Sequence, residues 1–85
     1  MYSTEALKSF RGKRLKTQDD ISNILSVSRA TYCTYENNPI QCELDLIFKI
    51  LNSLDVSDEE FAIFLNALKQ DYLSYKNSNS NQEKE

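Results

Sequence analysis

Apolar residues recur along this chain at intervals of three and four, and the polar residues between them carry the marks of helix starts and stops. A first helix is predicted over about Thr4 to Arg14, with Ser3 or Thr4 as its N-cap and Leu7, Phe10 and Leu15 turned inward. Thr17 caps a second helix, Gln18–Leu25, whose Ile21, Ile24 and Leu25 repeat at helical spacing. Ser26, Val27 and Ser28 then make a short turn, and Ser28 caps a third helix that runs to about Glu36 with Tyr32 and Tyr35 one turn apart. Asn37, Asn38 and Pro39 stop it, because Asn tolerates left-handed backbone and Pro cannot continue a helix.

Beyond a loop to Cys42, Leu44, Ile47, Ile50, Leu51 and Leu54 form one apolar stripe on a fourth helix, about Glu43–Leu54. Ser57 and Glu60 make a capping box for a long fifth helix, about Asp58 to Tyr75 or Lys76. Its Phe61, Phe64, Leu65, Leu68, Tyr72 and Tyr75 alternate spacings of three and four, a short coiled-coil-like seam. The tail, Asn77–Glu85, has nothing to bury and is expected to be disordered. The pattern is all-α: a core of four helices over 1–56, a long C-terminal helix over 57–76 and a tail over 77–85. Phe10, Ile21, Val27, Ile47, Ile50 and Leu54 can close the core, completed by Phe61 and by Phe64 or Leu65. Leu68, Tyr72 and Tyr75 then have little of their own chain to cover them and are expected to form a dimer interface, unless the helix folds back on its own domain.

Composition narrows the function. With 85 residues and 40% hydrophobic content, the chain supports one small core. No run approaches the roughly 18 apolar residues of a membrane span, and the N-terminus lacks the layout of a signal peptide, so a cytoplasmic protein is expected. Cys33 and Cys42 fit that location as free thiols, and without any His they do not complete a four-ligand zinc site. No metal or cofactor is expected. An enzyme is excluded by the same poverty: there is no histidine, no Gly-rich phosphate loop and no nucleophile paired with a base. The clusters Asp19/Asp20 and Asp58/Glu59/Glu60 each open a helix, where acids favour the macrodipole. The net charge of −3 is uneven: residues 1–42 carry +2 and residues 43–85 carry −5. Such asymmetry suits one face for polyanions and another for a different partner.

The most informative stretch is Thr17 to Asn37, TQDDISNILSVSRATYCTYEN, a short helix, a three-residue turn and a second helix. It resembles the lambda-repressor/Cro-like (XRE-like) helix-turn-helix family of bacterial and phage regulators. Thr17, Gln18, Leu25, Val27, Ser28, Tyr35, Glu36 and Asn37 match that family's run without a gap, and Leu44, Ile47, Ile50, Leu54 and Val56 continue the register. The resemblance implies a DNA-binding domain whose third helix enters the major groove of double-stranded DNA. Gln18 then stands where the family contacts the DNA backbone. Arg29, Ala30 and Thr34 stand at base-reading positions, with Ser28 and Thr31 beside them for phosphate or base contacts. Arg29 is the strongest candidate, since a guanidinium bonds guanine O6 and N7 together. Arg11 matches a family Arg that pairs with the acid at the position of Glu36; two independent surface charges are the alternative.

Departures from the family are specific. Ser26 replaces a Gly that takes positive φ, Asn38 replaces another Gly, and Pro39 and Ile40 stand where relatives carry phosphate-binding cations. Tyr32 occupies the place of a buried Ile and is expected to be partly core. The reading is a transcriptional regulator that binds operator DNA as a homodimer through the helix starting at Ser28. The alternative is a protein-binding module of the same fold, an anti-repressor, accessory regulator or antitoxin, using the acidic C-terminal half.

Overall fold

Three hydrogen bonds join the two ends of the chain, and much of the architecture follows from where they fall. The structure, a computed structural model, describes residues 1–83, and of the side chains those of residues 1–75. The last helix runs on to Glu83, past the end expected at Tyr75 or Lys76 and through most of the tail expected to be disordered, whose last two residues lie outside the described ones. The protein is all-α: α1 (Tyr2–Lys13), α2 (Gln18–Leu25), α3 (Arg29–Asn37), a 3-10 turn (Pro39–Gln41), α4 (Leu44–Ser53) and α5 (Asp58–Glu83). No helix among the described residues is long and apolar enough to cross a membrane.

Local chemistry places most helix starts. Thr17 Oγ1 accepts from Asp20 N at 3.1 Å while Thr17 N donates to Asp20 Oδ2 at 2.9 Å, a reciprocal cap for α2. Ser57 and Glu60 repeat the device on α5, at 2.9 and 3.2 Å. The start of α1 corrects the sequence expectation. The helix begins at Tyr2, and Ser3 and Thr4 are not caps but lie buried inside it. The acceptor comes from the far end of the chain: Asp71 of α5 takes Tyr2 N at 2.7 Å, Ser3 N at 3.0 Å and the Ser3 hydroxyl. An acid at that end also meets the positive pole of α1.

The ends of α1, α2 and α4 share one device. After α1, Lys16 N bonds Arg11 O and Leu15 N bonds Gly12 O, with Leu15 at φ 54°. The same pair of bonds closes α2 around Ser26 (φ 59°) and α4 around Asp55 (φ 52°). This closure is usually completed by glycine, yet the only glycine in the chain is Gly12, and none of the three positions has one. The geometry also corrects the place of Leu15. It was expected to face inward, but the left-handed turn throws it out, 90% exposed.

The core consists of Leu7, Phe10, Ile21, Tyr32, Ile47, Ile50, Leu51, Leu54 and Phe64. Val27, Phe61 and Leu68 pack around it partly buried, and Phe64 rather than Leu65 takes the interior place. Ile24 and Leu44, at the rim of their stripes, remain more than half exposed. The fifth helix lies chiefly along α1. Leu68 is therefore corrected too: expected to be bare, it packs against the core of its own chain, because the Asp71 contact draws α5 onto α1. Tyr72 and Tyr75 remain half or more exposed.

Leu15→Gly tests the strained helix end. Relief of a left-handed β-carbon is worth ~1–2 kcal/mol, and the extra chain entropy of glycine costs ~0.5–1 kcal/mol. No buried surface is lost, so the melting temperature is expected to rise by a few degrees; a fall would show that Leu15 makes a stabilising contact.

Candidate nucleic-acid interface

Three helices meet at one carboxylate. Glu36, on the last turn of α3, has no solvent exposure, and every donor around it comes from a different part of the fold. Arg11 of α1 approaches through Nε at 2.7 Å and Nη2 at 2.9 Å, a two-pronged contact. Gln18 at the start of α2 donates Nε2 at 3.0 Å, and the buried Tyr32 hydroxyl donates at 2.9 Å. Burial pushes the Glu36 carboxyl towards higher pKa, but the bonds from Arg11, Gln18 and Tyr32 outweigh it and hold the group below its ordinary value. Burial, and then the neighbouring Glu36 charge, push the Tyr32 phenol well above the usual range. The hydrogen bond to Glu36 raises Arg11, so all three groups keep their native charge.

This network fixes the angle between α2 and α3 and presents their N-terminal ends together. At the head of α3, Ser28 Oγ accepts from Thr31 N at 3.1 Å and donates to Thr31 Oγ1 at 2.8 Å. Arg29 follows with an exposed side chain, its Nε 3.8 Å from Asp19 Oδ1. Ala30 is exposed, and Thr34 is exposed with its hydroxyl bonded to Ala30 O at 3.2 Å. Gln18, Arg29, Ala30 and Cys33 line a shallow depression of about 300 Å³. Ser28, Arg29, Ala30, Thr31, Thr34 and Gln18, singled out from the sequence, thus cluster around the start of α3.

Sequence reasoning left out two features of this surface. Cys33 lines the depression four residues after Arg29, one helical turn on, which spacing alone could have indicated. The Gln18 carboxamide is held by Glu36 rather than left loose, which leaves its second amide proton and its carbonyl oxygen for other partners.

Not all the basic residues of this half remain available. Arg11 is committed to Glu36, and Arg14 to Glu60 through Nη1–Oε2 at 3.1 Å and a second, shorter contact. The Arg14 bonds, with Ser57 N, bring the Glu60 pKa down to about 2. Lys8, Lys13, Lys16 and Arg29 remain exposed. At the N-terminus of α2, the Asp20 carboxylate is drawn into the cap by Thr17, which lowers its pKa, and Asp19 lies beside it. This helix start already carries negative charge.

No family model matches the chain, and no solved structure matches it. Among curated proteins it is similar to "Antitoxin HipB" of Escherichia coli O6:H1 (strain CFT073) and to "Antitoxin HipB" of Escherichia coli (strain K12). Each is 36% identical over 52 residues, 61% of this chain. The match covers 55% of the first relative and 59% of the second, so the chain spans little more than half the length of the relatives it matches.

Glu36→Ala is expected to destabilise the protein by roughly 3–5 kcal/mol, because it leaves Arg11, Gln18 and Tyr32 without their acceptor. An exposed pair would give about 0–1 kcal/mol. The pH dependence has a definite sign. The folded pKa of Glu36 lies below the ordinary carboxylate value of 4.5, so its contribution is complete above about that pH and is lost as pH falls through the folded value. Urea titrations between pH 6 and pH 3 should show this loss in the parent and not in Glu36→Gln.

Proposed function

We propose that this protein is a lambda-repressor/Cro-like transcriptional regulator that binds operator DNA through α3. The observation that carries the reading is the helix-turn-helix itself: α2 and α3 are locked by buried Glu36, with Arg29, Ala30 and Thr34 on exposed positions of the second helix. In this reading residues 1–56 form the DNA-reading unit. Arg29 reads a base edge, Ala30 and Thr34 lie against neighbouring bases, and Ser28, Thr31 and Gln18 meet the backbone. The role is binding rather than catalysis.

A single recognition helix reads few base pairs, so two copies acting on half-sites about 34 Å apart complete the site. The face proposed for pairing is the outer side of α5 marked by Leu65, Tyr72 and Tyr75, at spacings of seven and three. Leu65, Tyr72 and Tyr75 are 43%, 50% and 62% exposed, whereas Leu68 beneath them packs on the core.

A second reading, a protein-binding module such as an antitoxin, draws support from the two antitoxin relatives and from the acidic second half of the chain. The two roles are compatible in one molecule.

Selection from random duplex DNA, followed by titration at several salt concentrations, tests the first reading; failure to select any sequence would remove it. On a selected site, Arg29→Ala is expected to lose about tenfold to a hundredfold in affinity, with discrimination relaxed at one base position. Uniform loss across sequences would reassign Arg29 to a phosphate. Sedimentation tests pairing: Leu65→Asp with Tyr72→Asp should halve the mass of the parent at micromolar concentration, and an unchanged mass would exclude this face.

A further inference from the structure

Away from the helix-turn-helix, α4 and the start of α5 enclose a groove of about 410 Å³. Its floor is Leu51, Val56 and Phe61, and its wall is Phe48, whose ring meets that of Phe61 edge to face at a centroid distance of 5.3 Å. Phe48 is 47% exposed although nothing in the DNA-reading unit uses it. Asp45 and Asp55 stand on the rim, with Lys49 and Asn52 also lining the groove. In the same stretch of chain Glu43, Asp58 and Glu59 are also exposed, and Lys49 is the only cation between residues 43 and 60. Even that charge is engaged, with Nζ 3.1 Å from Asp45 Oδ2.

An apolar trough with an aromatic wall and a carboxylate rim has a complementary ligand. Its volume accommodates roughly two apolar side chains from successive turns of a helix, the spacing by which amphipathic helices anchor in grooves. The rim selects the charge of what flanks those anchors. Lysine or arginine beside them would meet Asp45 and Asp55, whereas an acidic helix would meet two carboxylates with a single lysine, already bonded to Asp45, between them. We propose that this groove docks a basic amphipathic helix of a partner protein, anchored on Phe48 and Phe61 and flanked by Asp45 and Asp55. The site shares no residue with the proposed DNA contact or with the pairing stripe. It gives the protein-binding reading a place and a partner chemistry without requiring DNA binding.

The test uses the full chain and three labelled peptides of equal length. The first is an amphipathic helix with leucines on one face and lysines on the others, the second carries glutamate in place of every lysine, and the third is a lysine homopeptide. Anisotropy titration is expected to give saturable one-to-one binding of the first alone, with amide shifts at Phe48, Val56 and Phe61. Phe48→Ala should weaken that binding by about tenfold, the size expected of a central aromatic anchor. Asp45→Asn with Asp55→Asn should weaken it comparably; asparagine is chosen because position 55 has positive φ. This pair keeps the test open if Phe48→Ala folds poorly.

The inference fails if no saturation is reached at millimolar peptide, or if the homopeptide binds equally well. It fails too if both sets of substitutions leave affinity unchanged. A fall in sedimenting mass on Phe48→Ala would also overturn it, since a second copy would then occupy the groove. No DNA is present in these measurements, so their failure leaves the DNA-binding reading standing.

Discussion

The geometry of the whole helix-turn-helix rests on a buried negative charge that is over-provided with donors. Glu36 receives a two-pronged guanidinium, a carboxamide and a phenol, drawn from α1, α2 and α3. An apolar residue there could hold the helices together, but it would set neither their rotation nor their spacing, because apolar contact is non-directional. Hydrogen bonds of defined length and direction constrain both. The same bonds keep the acid ionised against a burial that would otherwise neutralise it. Specificity of arrangement and maintenance of charge are two aspects of one set of contacts.

A second polar contact governs the other side of the molecule. The carboxylate of Asp71, 5% exposed, ties α5 to the first turn of α1, while Arg14 and Glu60 join the far end of α1 to the start of α5. With Phe64 buried between them, α5 is held at three points along α1. The exposed stripe of α5 therefore has a defined direction relative to α3.

Much of this was legible in the sequence because it is local. Thr17, Ser28 and Ser57 mark helix starts through bonds to residues three positions on, and the α2 boundaries follow from that chemistry alone. The position of Ser26 also anticipated its left-handed backbone. What escaped is long-range. Nothing near Ser3 announces that its acceptor is 68 residues away, so the α1 cap was sought in the wrong place. The seam on α5 was periodic enough, but periodicity does not distinguish a stripe covered by α1 from one left to solvent, and Leu68 fell on the covered side. Tyr32 was placed in the core by its position, whereas its hydroxyl bond to Glu36 required the folded geometry.

The link between Asp71 and the first turn also bears on how the molecule comes into being. The amides of Tyr2 and Ser3 are made well before the carboxylate that satisfies them, which follows Ser3 by 68 residues. Helices α2 to α4, with largely neighbouring contacts, can associate while the chain is still growing. The opening turn of α1 lacks its acceptor until α5 has emerged and docked. The opening turn of α1 is therefore fastened only after α2 to α4 can have met, and a nascent chain stopped short of Asp71 would hold a nearly assembled helix-turn-helix behind an unfastened first turn.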